Sequence, residues 1–151
     1  MNLAENNFKQ KEFETSVQWY RLAAAKGSIK AQHVLGIMFD EGIFIRRNYK
    51  EAVKYYRMAA YRGNTYSQLK LGMFYTEGNA VKQDYREAAK WFKLAAEKGN
   101  ADAQFQLGTF YCKGMGVTIN PKEGKMWYGK SCENGNDEGC NAFRRINEEN
   151  Y

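Results

Sequence analysis

Apolar and small residues recur along this chain in two interleaved patterns, each with helical spacing and each returning every 36 residues. The first sets a small residue, a leucine, a glycine and an aromatic on one stripe: Ala31, Leu35, Gly36, Phe39; Ser67, Leu71, Gly72, Tyr75; Ala103, Leu107, Gly108, Tyr111. Such intervals keep these side chains on one side of an α-helix, where the small members let a neighbouring helix come close. The second pattern runs Ala52, Tyr56, Ala59, Ala60, then Ala88, Phe92, Ala95, Ala96, then Gly124, Tyr128, Ser131, Cys132. Between the two, Gly42, Gly78 and Gly114 mark helix ends, where a residue without Cβ takes the left-handed conformation. Loops 43–48, 79–84 and 115–120 follow, closing on Asn48, Asp84 or Asn120 as N-caps of the second helix. That helix stops at Gly63, Gly99 or Gly135, and Lys26, Arg62 and Lys98 are expected in last turns, complementing the helix dipole.

The unit is therefore a helix–loop–helix hairpin, and a constant period of this size marks a stacked repeat architecture. Residues 1–151 read as one domain: an N-terminal unit 1–27, full repeats 28–63, 64–99 and 100–135, and a capping helix 136–151. In the N-terminal unit, Asn2 to about Gln10 is expected as a first helix and Phe13 to Lys26 as a second. Ser16, Trp19, Tyr20, Ala23 and Ala24 fall in register there. Trp19, Tyr55, Trp91 and Trp127 share one column, which assigns them to packing between helices. After Gly135 the pattern fades: Phe143 falls on the leucine column and Arg144 on the glycine column, the polarity a terminal helix requires.

Composition supports this and narrows it. Hydrophobics at 44% and aromatics at 15% exclude a disordered chain, and one proline, Pro121, suits a helical one. No apolar run reaches the roughly 18 residues that a membrane span needs. The net charge of +6 divides as +7 over residues 1–99 and −1 beyond, so the excess belongs to the early repeats. It suggests an anionic partner only if the basic residues gather on one face.

The run Ala103-Gln104-Phe105-Gln106-Leu107-Gly108-Thr109-Phe110-Tyr111, with Gly114-Met115-Gly116-Val117, Ala88-Ala89-Lys90-Trp91-Phe92-Lys93-Leu94-Ala95-Ala96 and Gly99, resembles the Sel-1-like repeat. This is a longer-looped relative of the tetratricopeptide repeat. The resemblance covers nearly the whole chain and implies an all-α, right-handed solenoid acting in binding and assembly, common in bacterial proteins. The chain departs from the pattern at Phe44 and Ala80, where Gly116 keeps the second loop glycine, and at Gly124 in place of alanine. These departures bear on loop shape rather than fold. The stretch from Lys130 to Cys140 is similar to the secreted, cysteine-rich branch of that family, which implies a disulfide between Cys132 and Cys140 across successive hairpins. Two buried free thiols are the alternative reading of the spacing. A bridge implies a periplasmic or secreted protein. Met1 to Asn7 carry neither the basic flank nor the apolar stretch of a signal peptide, so a leader is expected to have been removed, with a cytoplasmic protein as the alternative.

Candidate chemistry is sparse. His33 is the only histidine and its column continues as Leu69 and Phe105, so it is expected at a half-buried apolar site. No Cys-x-x-Cys accompanies it, so neither a metal site nor a cofactor is expected. Cys112 is expected as an unpaired thiol. Ser67-Gln68-Leu69-Lys70 matches the Ser-x-x-Lys of penicillin-recognising enzymes, but Ser-Asp-Asn and Lys-Thr-Gly are missing. A hydrolase of β-lactams or peptidoglycan is thus the rival class, as is a nucleic-acid or anionic-ligand binder using Arg21, Arg57, Lys54, Lys90 and Lys93. The preferred reading is a non-catalytic interaction module, an adaptor, inhibitor or immunity-type protein. It is expected as a monomer holding a protein or peptide in its concave groove. The groove would be lined by first-helix columns whose chemistry varies: Val34, Ile37, Glu41; Lys70, Met73, Glu77; Gln106, Thr109, Lys113.

Overall fold

The computed structural model describes the backbone of residues 3–149 and the side chains of residues 9–148. All regular structure among them is helical: α1 (Leu3–Ala25), α2 (Ile29–Glu41), α3 (Tyr49–Tyr61), α4 (Thr65–Glu77), α5 (Tyr85–Glu97), α6 (Ala101–Lys113), α7 (Pro121–Glu133) and α8 (Asp137–Glu149). The chain divides into two compact units, Met1–Ser67 and Gln68–Tyr151.

The expected caps form. Asn48 accepts from the Glu51 N–H, Asp84 from those of Arg86 and Glu87, and Asn120 from that of Glu123. Gly42, Gly78 and Gly114 take φ of 70°, 70° and 67°. The second helices end one residue early, at Ala25, Tyr61 and Glu97, so Lys26, Arg62 and Lys98 follow the last turn rather than lie in it. The loops keep one shape despite the substitutions. Phe44, Ala80 and Gly116 all take positive φ, at 61°, 56° and 65°. A left-handed phenylalanine costs about 1–2 kcal/mol, and its ring stacks on Phe13 of α1 with centroids 3.9 Å apart, which offsets part of that cost.

The N-terminal unit differs from expectation. No turn separates two helices there, because α1 runs unbroken from Leu3 to Ala25. Residues 2–26 hold neither glycine nor proline, so nothing local interrupts the helix. Val17 and Ala24 are buried against the first unit's core, while Trp19 is exposed, against its expected packing role.

Within the first unit, the core gathers Leu35, Phe39, Tyr55, Tyr56 and the alanines Ala31, Ala52, Ala59 and Ala60. Gln32, buried on α2, donates its Nε2–H to the Ala24 carbonyl at 3.2 Å, tying α1 to the next hairpin. In the second unit the core is Leu69, Ala88, Phe92, Ala95, Ala96, Ala103, Leu107, Phe110 and Trp127. Gln104 repeats the clasp at 3.0 Å to the Ala96 carbonyl, and its own Oε1 accepts from Asn134 at 2.9 Å. The seam of each hairpin is an aromatic ring lying on a glycine. Tyr56 lies on Gly36, Phe92 on Gly72 and Tyr128 on Gly108, so closely that a Cβ on each glycine would stand 2.5, 2.5 and 2.7 Å from the ring.

Candidate functional site

Each first helix turns one column inward and sets another beside it. Leu35 and Gly36, Leu71 and Gly72, and Leu107 and Gly108 are buried. One position along, Val34, Ile37, Lys70, Met73, Gln106 and Thr109 are half-buried, while Glu41, Glu77 and Lys113 are exposed. All nine residues expected from the sequence therefore reach the surface. On α2 they offer two aliphatics and an acid; on α4 a cation, a thioether and an acid; on α6 an amide, a hydroxyl and a cation.

Met73 and Thr109 are already engaged within the hairpins. Met73 packs against the second unit's core. Thr109 Oγ1 lies 3.1 Å from the Phe105 carbonyl and 3.0 Å from the Tyr128 hydroxyl, so its polar atom serves the hairpin seam first. Neither commitment was visible from spacing, which ranks positions by face and not by the reach of a neighbouring side chain. Sequence reasoning also missed the bond from the Tyr56 hydroxyl to Asp40 Oδ2 at 3.1 Å. Burial, with the Asp40 carboxylate beside it, pushes that phenol well above its ordinary range, so it remains a donor.

An open cleft of about 800 Å³ lies beside the α6–α7 loop, lined by Arg86, Tyr111, Gly116, Ile119 and Asn120 among others. Gly116 lies against the first turn of α5, where a Cβ would collide with the Tyr85 carbonyl group. The sequence located this loop but carried no sign of the opening next to it.

The reactive-residue candidates sort by burial. Ser67 is fully buried, so the Ser-x-x-Lys match presents no accessible nucleophile. Burial raises the Cys112 thiol and so disfavours the nucleophilic thiolate, while a hydrogen bond with Tyr128 pulls weakly the other way. Cys132 and Cys140 are joined as a disulfide with Cα atoms 4.4 Å apart, and Cys112 is unpaired. Among the described residues no three His, Cys, Asp or Glu side chains cluster as a metal site would need. No described helix is long and apolar enough to cross a membrane. Several second-helix cations face their own acids: Lys54 lies 3.7 Å from Glu51, Lys90 3.1 Å from Glu87 and Lys93 4.0 Å from Glu97. Arg21 sits over the Phe39 ring at 5.5 Å.

His33 occupies its expected half-buried place, edge-on to the Tyr66 ring at 5.0 Å, with no hydrogen-bond partner at Nδ1. Desolvation lowers its pKa below 6.5. The unfolded chain therefore binds this proton more readily, so folding stability falls as pH drops below about 6.5. His33→Leu, the residue its column holds at Leu69, is expected to flatten urea midpoints measured between pH 7 and pH 5. An unchanged pH slope would assign the titration to other groups.

The Sel1 repeat family model matches residues 9–28, 29–64, 65–100 and 101–136. Among solved structures, a protective antigen of uropathogenic Escherichia coli with an SLR fold is 41% identical at a TM-score of 0.80, over 83% of this chain. A Sel1 repeat protein of Oxalobacter formigenes is 33% identical at 0.82, over 89%. Cysteine-rich protein B of Helicobacter pylori is 25% identical at 0.68, over 88%. This chain spans 27% of the first, 39% of the second and 96% of the third. A search of curated proteins gave no match.

Proposed function

The chain belongs to the Sel1 repeat family of α-solenoids, a protein–protein interaction type of module, and on that premise we propose that its first helices recognise a protein or peptide without catalysis. One observation carries this reading. Among the first-helix columns whose chemistry changes from repeat to repeat without being buried are those of Val34, Ile37 and Glu41, while the leucine and glycine columns beside them are buried. Packing dictates the fully buried Leu71; it leaves the chemistry of the exposed Glu77 open. The helices that carry the variable positions are fixed by the hairpin cores, so binding needs little further ordering of the backbone. The Cys132–Cys140 bridge supports a periplasmic or secreted setting, since such bonds persist where thiols are oxidised.

The test is affinity capture followed by substitution. Lys70→Glu is expected to weaken a captured partner about tenfold or more, about 1.4 kcal/mol, and Met73→Ala to weaken it less. Lys93→Glu on a second helix is expected to leave affinity unchanged. A partner as sensitive to Lys93→Glu as to Lys70→Glu would place recognition on the wrong helices.

A further inference from the structure

The turn between α7 and α8 sets a chemically labile residue pair beside the disulfide. Asn134-Gly135 is the only asparagine–glycine step in the chain; the equivalent turns hold Lys26-Gly27, Arg62-Gly63 and Lys98-Gly99. Each half of the pair has a structural reason. Gly135 takes φ of 91°, a conformation that glycine adopts at little cost. Asn134 donates its Nδ2–H to Oε1 of the buried Gln104 at 2.9 Å. In the first unit, where Arg62 stands in that column, the Oε1 of Gln32 has no partner.

Together these two residues are open to a reaction of their own. The backbone nitrogen after an asparagine can attack the side-chain carbonyl carbon, and a glycine there has no side chain to hinder it. The Gly135 nitrogen would bond to Asn134 Cγ, the Cγ–Nδ2 bond would break, and ammonia would leave carrying the Gly135 proton. Water then opens the resulting succinimide at either carbonyl, giving aspartate or isoaspartate.

The folded turn withholds each part of that step. The Gly135 N–H donates to the Cys132 carbonyl at 3.0 Å, so the attacking nitrogen is engaged. The leaving Nδ2 is held by Gln104. Ring closure also needs Asn134 Cβ and the Gly135 nitrogen to eclipse about the Cα–C bond, and ψ of 12° holds them apart. Attack therefore waits until the turn opens, and its rate follows the population of the opened form. The bridge limits that population, because Cys132 and Cys140 close the loop around the pair with Cα atoms 4.4 Å apart.

We propose that Asn134 is a latent modification site gated by the Cys132–Cys140 disulfide: reduction frees the turn, and the asparagine then converts spontaneously to aspartate and isoaspartate. The conversion takes the donor from Gln104 Oε1 and sets a carboxylate beside that acceptor. A transient loss of the bridge thus leaves a permanent fault between α6 and α7. The site is separate from the first-helix columns, and neither proposal depends on the other.

The test follows Asn134 in the intact protein at mildly alkaline pH, with and without dithiothreitol, by peptide mapping that separates aspartate from isoaspartate. A urea-unfolded sample gives the rate of the unguarded chain. Oxidised protein is expected to convert at least about tenfold more slowly than reduced or unfolded protein. Exchange of the Gly135 amide, read by nuclear magnetic resonance, is expected to rise on reduction by a similar factor. Should reduction abolish the helical circular dichroism, Cys132→Ala with Cys140→Gln takes the place of the reduced sample. Asn134→Asp, made directly, is expected to lower the urea midpoint of the oxidised protein.

Conversion equally fast, or equally slow, in oxidised and reduced protein would overturn the gate. So would an unfolded chain in which Asn134 converts no faster than the other asparagines, since the pair would then not be labile. An Asn134→Asp protein as stable as the parent would remove the permanent fault.

Discussion

Gly72→Leu is expected to destabilise the protein by more than about 3 kcal/mol, or to prevent cooperative folding altogether. Helix propensity points the other way, since replacing a mid-helix glycine with leucine ordinarily gains about 0.8 kcal/mol. Contact decides the sign. A Cβ at this position would stand 2.5 Å from Phe92 Cε1, and the ring has nowhere to retreat. Phe92 is fully buried between Ala88 and Ala95 on its own helix and meets Phe110 edge-on at 5.3 Å. A matched change isolates the cause. Phe92→Ala alone is expected to cost about 3–5 kcal/mol, but combined with Gly72→Leu the new side chain occupies the vacated space. The double variant should then be more stable than the two single losses predict by about 1 kcal/mol or more. Urea unfolding followed by helical circular dichroism reads all three. A Gly72→Leu variant as stable as the parent would show that helix and ring do not approach this closely.

The same seam shows which parts of the fold could be read from the chain. Small and large residues at helical spacing, repeated with constant phase, record both the helices and the faces they press together. Hairpin order, loop ends and caps followed from that record. What failed was local in one place and side-chain-specific in others. At the N-terminus, register called for a reversal near residues 11–12, yet no glycine or proline lies there to make one, and α1 continues through. The consequence appears at Trp19, which shares a column with the buried Tyr55, Trp91 and Trp127 and yet is exposed. Spacing puts Thr109 in a column expected to line a groove, but a tyrosine hydroxyl from the next helix engages it. Periodicity cannot register such a bond, because it depends on reach across the hairpin. Gln32, Gln104 and Cys140 share one column of the repeat, but the glutamines' bonds to alanine carbonyls likewise depend on reach and leave no mark in the spacing.

That column gives the second large effect. Cys132 stands where Ala24 and Ala96 stand, and Cys140 where Gln32 and Gln104 stand. In the earlier positions the glutamine reaches back eight residues to the alanine carbonyl, at 3.2 and 3.0 Å. The disulfide spans the same eight residues, so a covalent staple has replaced a hydrogen-bonded clasp between consecutive hairpins. Reduction is expected to lower stability by about 2–3 kcal/mol, the chain-entropy value for so short a loop. Hydrogen exchange should speed up first in α8, whose first turn carries Cys140. The clasp can be put back: Cys132→Ala with Cys140→Gln should recover about 1 kcal/mol relative to Cys132→Ala with Cys140→Ala. Both double variants should be indifferent to reductant. Urea midpoints with and without dithiothreitol give the full order: oxidised parent, then Ala/Gln, then Ala/Ala. An Ala/Gln protein no better than Ala/Ala would mean the two devices do not share a place in the fold. A parent untouched by reductant, with both thiols free by alkylation and mass spectrometry, would remove the staple and the argument for an oxidising compartment together.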